Sequence, residues 1–159
     1  MRRKISLATV LALVVIMAAC AHRQGTNTPV SPWEQVMTTN AQIASANNAL
    51  EQAVENAVTS GVLTPVQATP IITGQAKLAA IDYQITQILN QGQGVSTSQG
   101  LQLTNLFAQF KASGGYLVGS GVIGVKDAKT QQNVIADVNL SLSLLNTLET
   151  TLRSMGVIQ

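Results

Sequence analysis

His22 is the single histidine of the chain and Cys20 its single cysteine, two residues apart. A thiol and an imidazole could begin a metal site, but stable zinc sites want three or four ligands and no third lies nearby. A hydrolytic triad or a Glu-x-x-His di-iron site needs a histidine inside the folded domain, and none follows position 22. The acids come next. Glu51 and Glu55 lie four apart and share a helix face. Paired-carboxylate chemistry would need them, or Asp82, Asp137 and Glu149, to converge in a cleft. Glu51 and Glu55 stand beside Leu50 and Val54 rather than in their place, which reads as a solvated face. Asp82 borders the apolar residues Leu78, Ile81 and Ile85 and precedes Tyr83. That pair reads either as a structural buried Asp with a Tyr partner or as part of an inter-helix pocket for a small molecule.

The stretch Gly119-Ser120-Gly121-Val122-Ile123-Gly124 fits GxGxxG. A dinucleotide site would need a strand before it, a βαβ unit around it and an acid about 20 residues on. No convincing strand precedes it, and Leu144 stands where the acid belongs. Gly115 and Gly119 have the spacing of a membrane-helix dimer, but the apolar run around them is far below the roughly 20 residues a span requires. The glycine-rich segment from Gly114 reads as a partly apolar connection. Within it Tyr116, Leu117, Val122 and Ile123 form either an exposed contact patch or a cover over the open end of a core. Trp33 has a similar choice, between packing on the end of the domain and meeting a lipid interface.

The elements that must position these residues announce themselves at their ends. Ser31-Pro32-Trp33-Glu34, Thr64-Pro65-Val66-Gln67 and Ser96-Thr97-Ser98-Gln99 all fit the capping box. Two of them place Pro at the first helical position, where its missing N–H costs nothing. Asp127 is a fourth N-cap type, with Thr130 in the acid or amide position. Gly61-Val62, Gly94-Val95, Gly124-Val125 and Gly156-Val157 supply four matching stops, each a Gly suited to a left-handed turn with an apolar residue after it.

Between starts and stops the apolar spacing is helical. Val36, Ile43, Leu50 and Ala57 recur every seven residues in the first unit, with Thr39, Ala46, Ala53 and Ser60 between them. Ile71, Gly74, Leu78, Ile81, Ile85 and Ile88 line the second, where Pro70 predicts a restart or kink. Leu103, Leu106, Phe107 and Phe110 line a shorter third unit that Gly114-Gly115 should interrupt. Val134, Val138, Leu145, Leu148, Leu152 and Met155 line the fourth, widened by Ile135 and Leu142. Short connections make sequential helices antiparallel, so the expected fold is all-α, an up-down four-helix bundle over residues 31 to 159. A period near 32 residues also suits an open helical-repeat stack, which usually wants at least three repeats.

The N-terminus carries a different signal. Met1-Arg2-Arg3-Lys4 precedes about fifteen mostly apolar residues that end in small side chains, the build of a secretory signal. Met17-Ala18-Ala19-Cys20 resembles the lipobox of bacterial lipoproteins, with Met17 where that family usually has Leu. The resemblance covers residues 1 to 20. It implies cleavage after residue 19, a diacylglycerol on the Cys20 thiol, and three acyl chains on the mature N-terminus. The competing readings of Cys20 are an incidental cysteine beside an ordinary cleavage site and a retained anchor helix. In lipoproteins of two-membrane bacteria, Asp after the cysteine tends to hold the protein at the inner membrane. Ala21 stands there in this chain, so the resemblance implies the outer membrane. Residues 20 to 30 read as the lipidated cysteine and a flexible tether, with Gly, Asn, Thr and Pro and no periodicity.

Processing alters the charge balance. The chain has nine Lys and Arg against seven Asp and Glu, but Arg2, Arg3 and Lys4 leave with the signal, so six face seven in the mature part. That balance offers no electrostatic footprint for nucleic acid and no polybasic patch for anionic lipid. No cofactor or metal is expected from these residues. The expected function is that of a lipid-anchored envelope lipoprotein, non-enzymatic, serving as a binding, scaffold or structural module with a protein partner in the envelope. The alternatives are a small-molecule binder or enzyme with an inter-helix pocket near Asp82 and Tyr83, and a phage- or defence-related surface lipoprotein that blocks a receptor.

Overall fold

The computed structural model describes residues 30–159. The expected signal, Cys20 and all but the last residue of the expected tether lie outside the described residues. Four long helices follow one another: α1 (Pro32–Thr59), α2 (Pro65–Leu89), α3 (Thr97–Tyr116) and α4 (Ala128–Ser154), with a 3-10 turn at Gly92–Gly94 and a π-helical turn at Leu117–Gly121. No strand occurs among the described residues. α1 packs on α2 and α4, and α3 packs on α2 and α4, so the four close into a ring. Chain neighbours run antiparallel: Lys111 pairs with Glu149, and Gly114 lies against Leu142. The fold is an up-down four-helix bundle, and contact between the first and last helices excludes the open stack.

The starts are where local chemistry puts them. Thr64 and Ser96 each accept from the backbone N–H three residues on, while Gln67 and Gln99 accept from the cap's own N–H. Ser31 accepts from Glu34 N at 3.1 Å, and Asp127 from Thr130 N at 2.7 Å. Each bond satisfies an amide that the first helical turn leaves without a partner.

The stops differ in detail. At the end of α4, Gly156 is left-handed (φ +71°), and Val157 N donates to Leu152 O at 3.0 Å, as the Schellman pattern requires. After α1, Gly61 is also left-handed (φ +72°), but Leu63, not Val62, folds back: its N–H donates to Ala57 O and its side chain is buried. Val62 remains exposed. α2 turns off at Gly92 rather than Gly94, and Gly124 is not left-handed. α3 does not break at Gly114-Gly115. Gly114 sits in the helix where a Cβ would come within 2.9 Å of Leu142 Cδ2, so this glycine permits close packing rather than ending the element. α2 likewise runs unbroken through Pro70.

The apolar rows of α2, α3 and α4 are buried as their spacing predicts, with Met155, Ile135 and Leu142 half-buried against the core. Burial of each Leu, Ile or Phe contributes about 1.5–3 kcal/mol. In α1, Val36, Ile43, Leu50 and Ala57 are buried; of the row between them Thr39 and Ala46 are buried, Ala53 half-buried and Ser60 exposed, and Asn40, Asn47 and Val54 are buried beside them. The α1 seam therefore carries two buried amides that the expected row of small residues did not contain.

Candidate functional site

The chemistry-bearing residues do not converge. Glu51 and Glu55 are exposed on α1. Glu149 is occupied by Lys111 and Arg153, at 2.5 and 2.8 Å, and these hydrogen bonds, Lys111 first, hold its carboxyl below the usual glutamate range. Among the described residues no three His, Cys, Asp or Glu side chains come together as a metal site. Gly119–Gly121 belong to the π-helical turn that continues α3, and no strand precedes them. Asp82 and Tyr83 separate: Asp82 is buried on the inner face of α2, whereas Tyr83 is 65% exposed. Adjacent residues are about 100° apart on a helix, and here that step carries Tyr83 out to solvent; neither residue lines the surface groove described below.

The five candidate contact residues also part company. Leu117 and Val122 are buried, 0% and 2% exposed, and so form no surface. Leu117 begins the π-helical turn and points onto α2. Trp33, in the first turn of α1, is half-buried against the core at the opposite end of the bundle from Tyr116 and Ile123. Tyr116 and Ile123 are exposed. They are joined by two residues that the linear pattern did not flag. Val62, in the α1–α2 connection, and Val66, in the first turn of α2, are both exposed, Val66 by 82%. Gln67 Nε2 donates to Gly124 O at 2.8 Å, tying the start of α2 to the α3–α4 connection and so setting Val66 near Ile123.

From this end a groove runs inward between α2 and α3. Its outer part, about 360 Å³, is walled by Pro70, Thr73, Gly74, Lys77 and Tyr116. Its inner part, about 350 Å³, shares Lys77, Ala112 and Ser113 with the first and reaches Ile81 and Gln109. Small side chains on both helices leave this channel open, and Lys77 stands over it with no ion pair among the described residues. The surface is therefore mostly apolar, small-residue and singly cationic. It can hold another molecule by shape.

The other ensemble that the linear pattern missed is internal. Asn40 Nδ2 donates to Thr86 Oγ1 at 2.8 Å, and Ser141 Oγ donates to Asn47 Oδ1 at 3.3 Å, linking α1 to α2 and α4. Asn40 Oδ1, Asn47 Nδ2 and Asp82 Oδ1 are buried without a partner. Burial pushes the Asp82 carboxyl up to about 6, and burial also raises Asp137, half-buried on α4. A 3.5-residue rhythm along α1 fits Asn40, Asn47 and Val54 as well as it fits Thr39, Ala46 and Ala53, and the inner face is wide enough to bury Thr39 and Ala46 together with Asn40, Asn47 and Val54.

No helix among the described residues is long and apolar enough to cross a membrane. In comparison with known proteins, no family model, no curated protein and no solved structure matches the chain.

Proposed function

We propose that the protein is a lipid-anchored lipoprotein of a bacterial envelope, held at the outer membrane through acylated Cys20, and that its bundle is a non-enzymatic module that binds a protein partner. The lipobox resemblance supports the anchor. The observation that carries the binding role is a placement: Val62, Val66, Tyr116 and Ile123 are exposed at the end of the bundle opposite Ser31, where the chain enters α1. α1, at 28 residues, is about 42 Å long. An anchor before Ser31 thus leaves the apolar end as the part of the domain most distant from the attachment point along the chain axis. Grouped exposed hydrophobes of this kind mark contact surfaces more often than isolated ones do, and the adjoining groove enlarges the area a partner could cover.

The test has two arms. The mass of the mature protein extracted from membranes is measured beside Cys20→Ser; acyl mass and outer-membrane fractionation in the wild type alone support the anchor. Crosslinking from position 62 then reports the partner. A wild type that is unmodified and freely soluble sinks the anchor, and crosslinks that survive Val66→Asp with Ile123→Asp sink the contact surface.

A further inference from the structure

Among the described residues three buried polar atoms lack a partner, Asn40 Oδ1 and Asn47 Nδ2 on α1 and Asp82 Oδ1 on α2; Asn40 otherwise bonds across to α2 and Asn47 to α4. Thr86 bonds Asn40 of α1 and follows Asp82 by one helical turn, so Asp82 is on the same, α1-facing side of α2. The two helices are antiparallel. Moving about 6 Å along α2 from Thr86 to Asp82 therefore brings the chain to a level between Asn40 and Asn47, which are about 10 Å apart along α1. There the groups are mismatched: Asp82 Oδ1 and Asn40 Oδ1 are acceptors, and Asn47 Nδ2 is a donor. An ionised carboxylate adds acceptors where acceptors are already in excess. One proton on Asp82 removes that charge and turns one of its oxygens into a donor at a level where Asn40 Oδ1 lacks one.

We infer that this polar layer is a proton-binding site: the bundle takes up one proton at Asp82 as it closes, and the α1–α2 seam loosens when that proton leaves. The surroundings offer no substitute for the proton. The ionisable side chains of α1, Glu34, Glu51 and Glu55, are exposed, as is Lys77 of α2. Lys111 of α3 and Arg153 of α4 are committed to Glu149. Lys129 of α4 is exposed, and Asp137, also on α4, could only add like charge. Burial is the cause of the upward shift at Asp82, from 3.8 to about 6, and no cation opposes it. The sign follows from linkage: a carboxyl raised on folding costs nothing below its unfolded value and its full penalty above its folded value. Stability contributed at this site therefore falls as pH rises through the window from about 4 to about 6 and levels off above it.

The experiment is urea unfolding of the full chain at about pH 5 and about pH 7.5, for wild type, Asp82→Asn and Asp137→Asn, with a carbon-13 NMR titration of the Asp82 carboxyl in the wild type. Asn at 82 has the shape of the protonated acid and supplies a donor at every pH. The wild-type folding constant is expected to be about tenfold larger at the lower pH. Asp82→Asn is expected to lose that difference, Asp137→Asn to keep most of it, and the Asp82 carboxyl to titrate near 6. An Asp82 carboxyl titrating near 3.8, or an Asp82→Asn protein with the wild-type pH dependence, overturns the inference. If Asp82→Asn does not fold, the wild-type titration decides alone.

Discussion

The side chain of Leu117 fills a notch that Gly74 leaves in α2: a Cβ at position 74 would lie 2.3 Å from Leu117 Cδ2 and 2.6 Å from its Cγ. The π-helical turn after α3 is thereby locked onto α2, and the outer groove wall beside Tyr116 rests on that lock. Gly74→Ala gains up to about 1 kcal/mol of helix propensity, but it must displace Leu117, and overpacking of this kind costs about 1–3 kcal/mol. Net destabilisation is the expected result in urea unfolding. Leu117→Ala alone should cost about 2–5 kcal/mol. The double variant should cost less than the two single values added, because the new methyl then occupies part of the space that Leu117 vacates. Additive costs would show that the two side chains do not share that space.

Val66 and Ile123 touch water over most of their surface, so the fold has little stake in them. Val66→Asp and Ile123→Asp should leave the unfolding midpoint within about 0.5 kcal/mol of wild type while abolishing crosslinking from this end of the bundle. A large stability loss would mean that these side chains belong to the core, and the contact surface would have to be sought elsewhere.

Thr64 and Ser96 close full capping boxes at the heads of α2 and α3. Thr64→Ala and Ser96→Ala should each cost about 1 kcal/mol, and the costs should add, since the caps share no partner. Gln67→Ala should exceed Thr64→Ala, because Gln67 also donates to Gly124 O and holds the α3–α4 connection. Thermal unfolding of the three variants ranks them directly.

Glu149 opposes Asp82 in its response to pH. Hydrogen bonds, from Lys111 first and then from Arg153, hold its carboxyl below 4.5. Its stabilising share is thus present above the unfolded value and is lost as pH falls through the lower, folded one. Glu149→Gln should cost no more than about 1 kcal/mol near neutral pH, less at high salt, and should flatten the acid limb of the stability curve below about pH 4.5. An unchanged acid limb in Glu149→Gln would remove this ion pair from the account.

Several features were decided over three or four residues and so were legible in the sequence. Ser31, Thr64, Ser96 and Asp127 head the helices because a hydroxyl or carboxylate can reach an amide three positions on, whatever the rest of the chain does. The heptad rows of α2 and α4 could be read as buried because nearly every position in them is apolar, leaving one face with nowhere else to go. Gly61 and Gly156 end their helices for an equally local reason.

Other features depended on what lies across an interface. Gly114 reads as a breaker in isolation, yet Leu142 of α4 makes it a contact. Leu117 and Val122 look like Tyr116 and Ile123 in the chain; the π-helical turn and the notch at Gly74 bury the first pair and expose the second. Asn40 and Asn47 are sealed beside the expected Thr39 and Ala46, where they meet Thr86 and Ser141 across the interfaces; the width of the buried face is set by those partner helices, not by a 3.5-residue rhythm. The sequence by itself determined four capped amphipathic helices, since hydrogen bonding at helix ends and apolar periodicity are local. Tertiary structure alone decided which polar groups were sealed inside and which apolar ones were left outside, since burial depends on a partner helix rather than on the residue's own neighbours in the chain.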